Sequence, residues 1–251
     1  MIRVSRRARA VRPAYIVSTL VFGLAVIFGA PLFAGAIPAG TVHGKVVGWE
    51  KLLPQVYAEG AKNDSRSYTW REPSPTVKQD FRKLSANVSR EVCVAALASG
   101  SQAHEHDPVS IKVTGGRITP ATIVLAPGSR LSFKNVDPFA HTLYEVANDK
   151  WAANPLAPSS TREWAATAPG LHVIRDELFP SVVMYVVVDA AAVEFALPDH
   201  EGGFAMALPQ GDYTLKAFFD GKPVGREAPI HVGGGILDMR EPMALGGGDS
   251  K

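Results

Sequence analysis

One cysteine in 251 residues, Cys93, excludes any internal disulfide. The chain has no His-Glu-x-x-His, no nucleophile-elbow glycine pattern around its serines, and no phosphate-loop lysine beside its glycine triplets, Gly233 to Gly235 and Gly246 to Gly248. Those gaps exclude the common zinc-protease, serine-hydrolase and nucleotide-binding motifs. No catalytic residue is assigned, and the expectation is a protein that is not an enzyme. Acidic residues are missing from the first dozen positions, which carry Arg3, Arg6, Arg7, Arg9 and Arg12. Removing those five arginines leaves 21 basic against 24 acidic residues, so the net charge of +2 hides a body of about −3. Such a body lacks the clustered basic surface that nucleic acid requires.

Charge is absent altogether from "AYIVSTLVFGLAVIFGA", Ala14 to Ala30. Arginines ahead of an apolar run mark its cytoplasmic side. The run continues past Pro31 and fits a spanning helix of roughly 17–25 residues better than a signal h-region of roughly 7–15. The alternative is a signal peptide cut near "AGA", Ala34 to Ala36. The expected layout is an Arg-rich cytoplasmic tail over residues 1–13 and a transmembrane anchor (or signal peptide) over 14–36. That places a single pass in a bacterial inner membrane, with the bilayer contacted through residues 14–36 and the body in the periplasm. Gly23 and Gly29 would let neighbouring helices approach closely.

An apolar content of 46% with 20% charge describes a globular body with a real core. Its patterning is mostly of period two. Val109, Ile111 and Val113 share a face, as do Leu131 and Phe133, Phe204, Met206 and Leu208, and Tyr213, Leu215 and Ala217. "TVHGKVVG" and "KLLPQVYAEG" read as strands around a turn, and "REVCVAALA" as a buried strand that hides Cys93. Val77, Phe81 and Leu84 are spaced for one helical turn. "WAANPLAPSSTREWAATAPG" reads as loop, "MYVVVDA" as a buried strand, and "ILDMREPMAL" as tail with little regular pattern. The fold class is mainly β: two or three small antiparallel β-sandwich units behind one N-terminal transmembrane helix.

Two stretches resemble known families. "VSIKVTGGRITPATIVLAPGSRLSFKNVDPFAHTLY" with "GLHVIRDELFPSVVMYVVV" resembles a cupredoxin, most specifically in "FKNVDPFAHTLY", where the family shows Phe-x-Asn-x-Asp and then its first copper histidine, here His141. "GGFAMALPQGDYTLKAFFDG" is similar to the carboxypeptidase regulatory-like, transthyretin-like sandwich, and "GTVHGKVVGWEKLLPQVYAEG" resembles that family's opening hairpin. Their order resembles methylamine-utilisation-type periplasmic proteins. The expected divisions are an N-terminal β unit over 37–103, a cupredoxin-like domain over 104–190, a carboxypeptidase regulatory-like β unit over 191–233 and a Gly-rich tail over 234–251. The N- and C-terminal units are expected to pack together, with the cupredoxin unit emerging between them.

The resemblance implies two histidines, a cysteine and an axial methionine around copper, because a soft thiolate makes such a site redox-active. The loop from Arg175 to Met184 has no Cys and no His, and only Met184 remains as a soft donor. The expectation is therefore a copper frame without copper and no cofactor. His141 becomes a packing or hydrogen-bonding residue. The weak metal candidates are His141 with His172 across the sandwich, and His104 with His106 in the linker "HEHD". Asp176 and Glu177 read as a solvated or partner-facing pair, and Trp49, Trp70, Trp151 and Trp164 as packing residues. The function expected is a non-catalytic accessory subunit docked to other subunits of a membrane electron-transfer complex, respiratory or photosynthetic. The alternatives are a periplasmic metal-handling or electron-carrier protein, and a carbohydrate or cell-surface binding module.

Overall fold

The computed structural model describes residues 39–53, 85–98 and 108–246. The expected anchor, Trp70, the helical turn at Val77 to Leu84, and the linker histidines His104 and His106 lie outside the described residues. Among the described residues no helix is long and apolar enough to cross a membrane.

The chain builds two sandwiches, one inserted into the other. The host opens with β1 (Ala39–Val47), a four-residue helix α1 (Val88–Glu91) and β2 (Val92–Ala98). The inserted sandwich follows as β3 (Val109–Thr114), β4 (Arg117–Thr119), β5 (Thr122–Leu125), β6 (Arg130–Asn135), β7 (His141–Glu145), β8 (Asn154–Leu156), β9 (Thr161–Ala165), β10 (Gly170–Asp176) and β11 (Val183–Val188). The host resumes with β12 (Ala192–Ala196), β13 (Gly203–Pro209), β14 (Gly211–Phe219), β15 (Lys222–Val232), β16 (Gly235–Asp238) and β17 (Met243–Ala244).

The host's two sheets run β13-β1-β16, with β17 also on β1, and β12-β2-β14-β15. The expected hairpin partner of β1, Lys51 to Gly60, lies mostly outside the described residues. β1 itself pairs antiparallel with β13, from Ala39 opposite Pro209 to Lys45 opposite Gly203. Trp49–Lys51 is a 3-10 turn where a second strand was expected to begin. The residues expected to form a patternless tail supply β16 and β17, both parallel to β1. Val42, Val46, Val94, Phe204, Leu208 and Leu215 therefore meet in one core drawn from both ends of the body.

The inserted sandwich has sheets β5-β11-β10-β7-β8 and β4-β3-β6-β9. They are mixed rather than purely antiparallel, since β11 runs parallel to β5 and β3 parallel to β6. The stretch expected as loop contains β9, which pairs with β6 and carries buried Trp164. Ile111, Phe133, Leu143, Ile174 and Met184 fill the core between the sheets.

β2 is buried along its whole length. Its even-numbered residues, Val92, Val94 and Ala96, face the host core. Its odd-numbered residues, Cys93, Ala95 and Leu97, pack with Val124 of β5 and with Phe218. A strand covered on both faces needs a continuous apolar run rather than an alternating one, and "VCVAALA" is such a run. The same burial pushes the Cys93 thiol up to about 12. One buried strand thus welds the two sandwiches together.

Candidate functional site: a buried histidine between two carboxylates

The strongest chemical feature lies where three connections of the inserted sandwich meet. Phe133 points into the core from β6, and the two-residue repeat of a strand carries Asn135 and Asp137 inward after it. Asn135 fixes the connection to β7. Its Nδ2 donates to the carbonyls of Phe139 (2.8 Å) and Leu156 (2.9 Å), and its Oδ1 accepts from the Asp137 amide (2.9 Å). His141 then opens β7 with no exposed surface.

Both ring nitrogens of His141 face carboxylates. Nδ1 lies 2.9 Å from Oδ2 of Asp176, and Nε2 lies 3.0 Å from Oδ2 of Asp137. Neither carboxylate is held by the ring alone. Asp137 accepts from the amides of Gly115 (2.6 Å) and Gly116 (3.0 Å). Those two glycines have φ of 60° and 64°, a left-handed pair that turns successive N–H groups toward one anion. Asp176 accepts from Thr142 (2.9 Å), Leu178 (2.7 Å) and Phe179 (3.0 Å). Burial opposes charge on Asp137, but the Gly116 and Gly115 amides and the His141 ring hold its carboxyl below the usual carboxylate range. Each ring nitrogen of His141 thus has a carboxyl oxygen as its partner. The cluster is a histidine ring clamped between two carboxyl groups.

Phe139 and Phe179 close over it. Their centroids lie 5.2 and 4.9 Å from that of His141, and the two rings stack on each other at 5.0 Å. Ser181 donates to the Gly116 carbonyl at 2.8 Å and ties the loop after β10 to the turn after β3. The outer surface of these loops is apolar, with Val136, Phe139 and Leu178 53%, 40% and 65% exposed.

His172 belongs to a second cluster. Its Nδ1 lies 2.6 Å from Oε1 of Glu145 and its Nε2 lies 2.8 Å from the Ala168 carbonyl. Glu145 also accepts from Trp164 Nε1 and Asn148 Nδ2, both at 2.7 Å. Burial raises the cost of charge on Glu145, yet Trp164, His172 and Asn148 hold its carboxyl below the usual range. The structure gives His141 and His172 separate partners and does not bring them together as a two-histidine site.

The donors present do not fit copper. Both nitrogens of His141 are spent on carboxylates, Met184 is a core residue of β11 opposite Ile174, and Cys93 is buried between the sandwiches. Among the described residues no three His, Cys, Asp or Glu side chains are arranged to hold a metal ion. The partners of the histidines escaped the sequence reading. Asp176, expected in a solvated pair, is buried, and only Glu177 faces solvent. The signal was there, because Asp176 follows the inward Ile174 by two residues on one strand. Trp164 is buried, Trp151 packs on Phe133 beneath the Arg162 guanidinium, and Trp49 packs against the host core.

No family profile matches the chain, and no curated protein sequence matches it. Solved structures similar to it include a copper-containing nitrite reductase from Thermus scotoductus, 20% identical over 38% of this chain and 25% of that one, with a TM-score of 0.30. A reduced amicyanin variant is 13% identical over 38% of this chain and 99% of that one, with a TM-score of 0.31. A purple cupredoxin from Nitrosopumilus maritimus is 16% identical over 32% and 99%, with a TM-score of 0.28. The chain therefore spans a quarter of the nitrite reductase and nearly all of the two small proteins. Likeness at this level carries nothing about copper, redox activity or partners.

Proposed function

We propose that this chain is a non-catalytic, membrane-anchored accessory subunit on the periplasmic face of a membrane electron-transfer complex, and that it acts by docking. The supporting observation is the pairing of an inert interior with an apolar exterior at one end of the inserted sandwich. Beneath the loops, every polar atom of the Asp137–His141–Asp176 cluster is committed to a partner within the chain. Above them Val136, Phe139 and Leu178 are exposed together, as at a contact surface. The anchor expected over 14–36 would keep the chain at the bilayer with the other subunits.

The test is mild detergent extraction of the C-terminally tagged full chain from its own membranes, with mass spectrometry and an absorption spectrum of the eluate. Haem- or pigment-bearing subunits in fixed ratio are expected. A lone protein carrying stoichiometric metal would replace this reading with the metal-handling or electron-carrier alternative. A lone metal-free protein that binds glycans would replace it with a surface-binding module.

A further inference from the structure

Sheet edges carry unpaired backbone groups, and folded chains guard them with charge, proline, bulges, short length or cover. Most edges of this protein are guarded. β15 carries Lys222, Pro223, Arg226, Glu227 and Pro229 and is bulged against β14. β12 is bulged against β2 and carries Glu194. β4 and β8 are three residues long, β16 is four, and β5 is buried along its whole length. β9 carries Arg162 and Glu163, and the Trp151 indole donates to the Glu163 carbonyl at 2.8 Å. β13 is the exception among the described edges. Gly203 to Pro209 is seven residues without charge, pairs with β1 in unbroken register, and has proline only at its last position.

The direction of the backbone groups on β13 follows from the turn before it. The Gly202 carbonyl accepts from the Val46 amide at 2.8 Å, so Gly202 points toward β1. Gly203 points the other way, donating to Asp199 Oδ1 at 2.9 Å and accepting from the Asp199 amide at 2.7 Å. Backbone groups alternate along an antiparallel strand. Those of Ala205 and Ala207 therefore also point away from β1, to a side where no described strand pairs with β13. Both alanines are exposed, while Phe204, Met206 and Leu208 face the host core. We infer that this edge pairs antiparallel with the same edge of a second copy of this chain, about a two-fold axis at Met206. That axis sets Ala205 of each chain opposite Ala207 of the other, and each such pair exchanges two N–H···O bonds. Side chains as small as alanine block nothing there, and no like charges meet across the axis. A foreign strand would need pockets to select its alternate side chains, and two alanines provide none. The inference goes beyond the docking reading above and does not depend on it.

The test is sedimentation equilibrium of the detergent-solubilised full chain from about 1 µM to 1 mM, a range that captures a weak dimer, since one strand pair buries less than a permanent interface does. A monomer–dimer equilibrium is expected, with hydrogen exchange at the Ala205 and Ala207 amides slowing as the dimer forms. Ala205→Lys combined with Ala207→Lys sets like charges opposite each other only in the dimer and should weaken it about tenfold. Ala205→Glu combined with Ala207→Glu should do the same. Mixing the two double variants should restore association as a heterodimer, which a misfolded chain could not do. A native chain that stays monomeric throughout the range would overturn the assignment. So would a dimer undiminished in both double variants, unchanged exchange at the two amides, or double variants that stay apart when mixed.

Discussion

The two sandwiches share an architecture and are closed in different ways. Buried polar side chains of the inserted unit include Asn135, Asp137, His141, Glu145 and Asp176, whereas among the described residues of the host the buried charged groups are Glu91 and Asp220. The host is held by shape and apolar area, a non-directional force. The inserted unit ties the turn at Gly115–Gly116, the β6–β7 loop and the loop after β10 to one histidine and its two carboxyl partners. Buried ion clusters of this kind add little net stability over a good apolar core, but breaking one costs much. The difference teaches where each unit is fragile: the host to lost volume, the insert to lost charge.

The largest expected effect tests that contrast at its sharpest point. His141→Leu leaves two buried carboxyl groups without their shared hydrogen-bonding partner, and unfolding in urea followed at Trp151 and Trp164 should show a loss of about 3–5 kcal/mol. A neutral result would remove His141 from its central place. In the host, Leu215→Ala opens a cavity in a fully buried position and should cost about 3 kcal/mol, with no change in acid sensitivity.

Acid should separate the units further. The Asp137 and Glu145 carboxyls are both held below their ordinary values of 3.8 and 4.5 in the folded insert. A depressed folded pKa contributes stability that is fully present above the unfolded value and is lost as pH falls through the folded one. The insert should therefore weaken as pH drops below about 4.5 and go on weakening through the acid range, seen as a falling urea midpoint at the tryptophans. In the host, Asp199 is also lowered, through the Gly203 and Glu201 amides, but it sits in an open turn and its share is smaller. Glu145→Gln keeps the size of the side chain and removes its charge. It should cost about 1–2 kcal/mol, because Trp164 and His172 keep a weaker acceptor. The smallest effect is a null one: Cys93, buried and with its thiol raised to about 12, should resist maleimide in the native protein and react on unfolding.

Much of the fold was legible because alternation is a local property. Val109, Ile111 and Val113, Leu131 and Phe133, and Phe204, Met206 and Leu208 lie on inward faces as their spacing requires. Pairing is not local, which is why β1 read as half of a hairpin although its partner is β13. The strands β16 and β17 are four and two residues long and are held by backbone bonds to β1, so they leave almost no pattern to read. At the site, His141 was legible as a hydrogen-bonding residue. Asp176 was not, because an acid beside Glu177 looks solvated until the parity set by Ile174 is followed to the end of the strand. Nothing nearby in sequence marks Gly115 and Gly116 as amide donors to Asp137.

The insertion also imposes an order of events on a chain made from one end. Every strand of the inner sandwich lies between Val109 and Val188, so that unit can close as soon as its own last strand is out. The first described partner of β1 arrives with Gly203 opposite Lys45, a wait of roughly ten to thirty seconds at about 5–20 residues per second. Until β12 and β14 follow, "VCVAALA" lacks the strands that pair with it. The inner unit ends the wait by returning the chain to the place it left, where the Ala98 amide meets the Ala191 carbonyl at 2.8 Å. Once folded, it acts as a short tether in place of a long flexible loop, and the entropy of bringing β12 to β2 has already been spent. A defect at His141 would then be felt first as a host that is slow to assemble, before any loss of stability is measured in the finished protein.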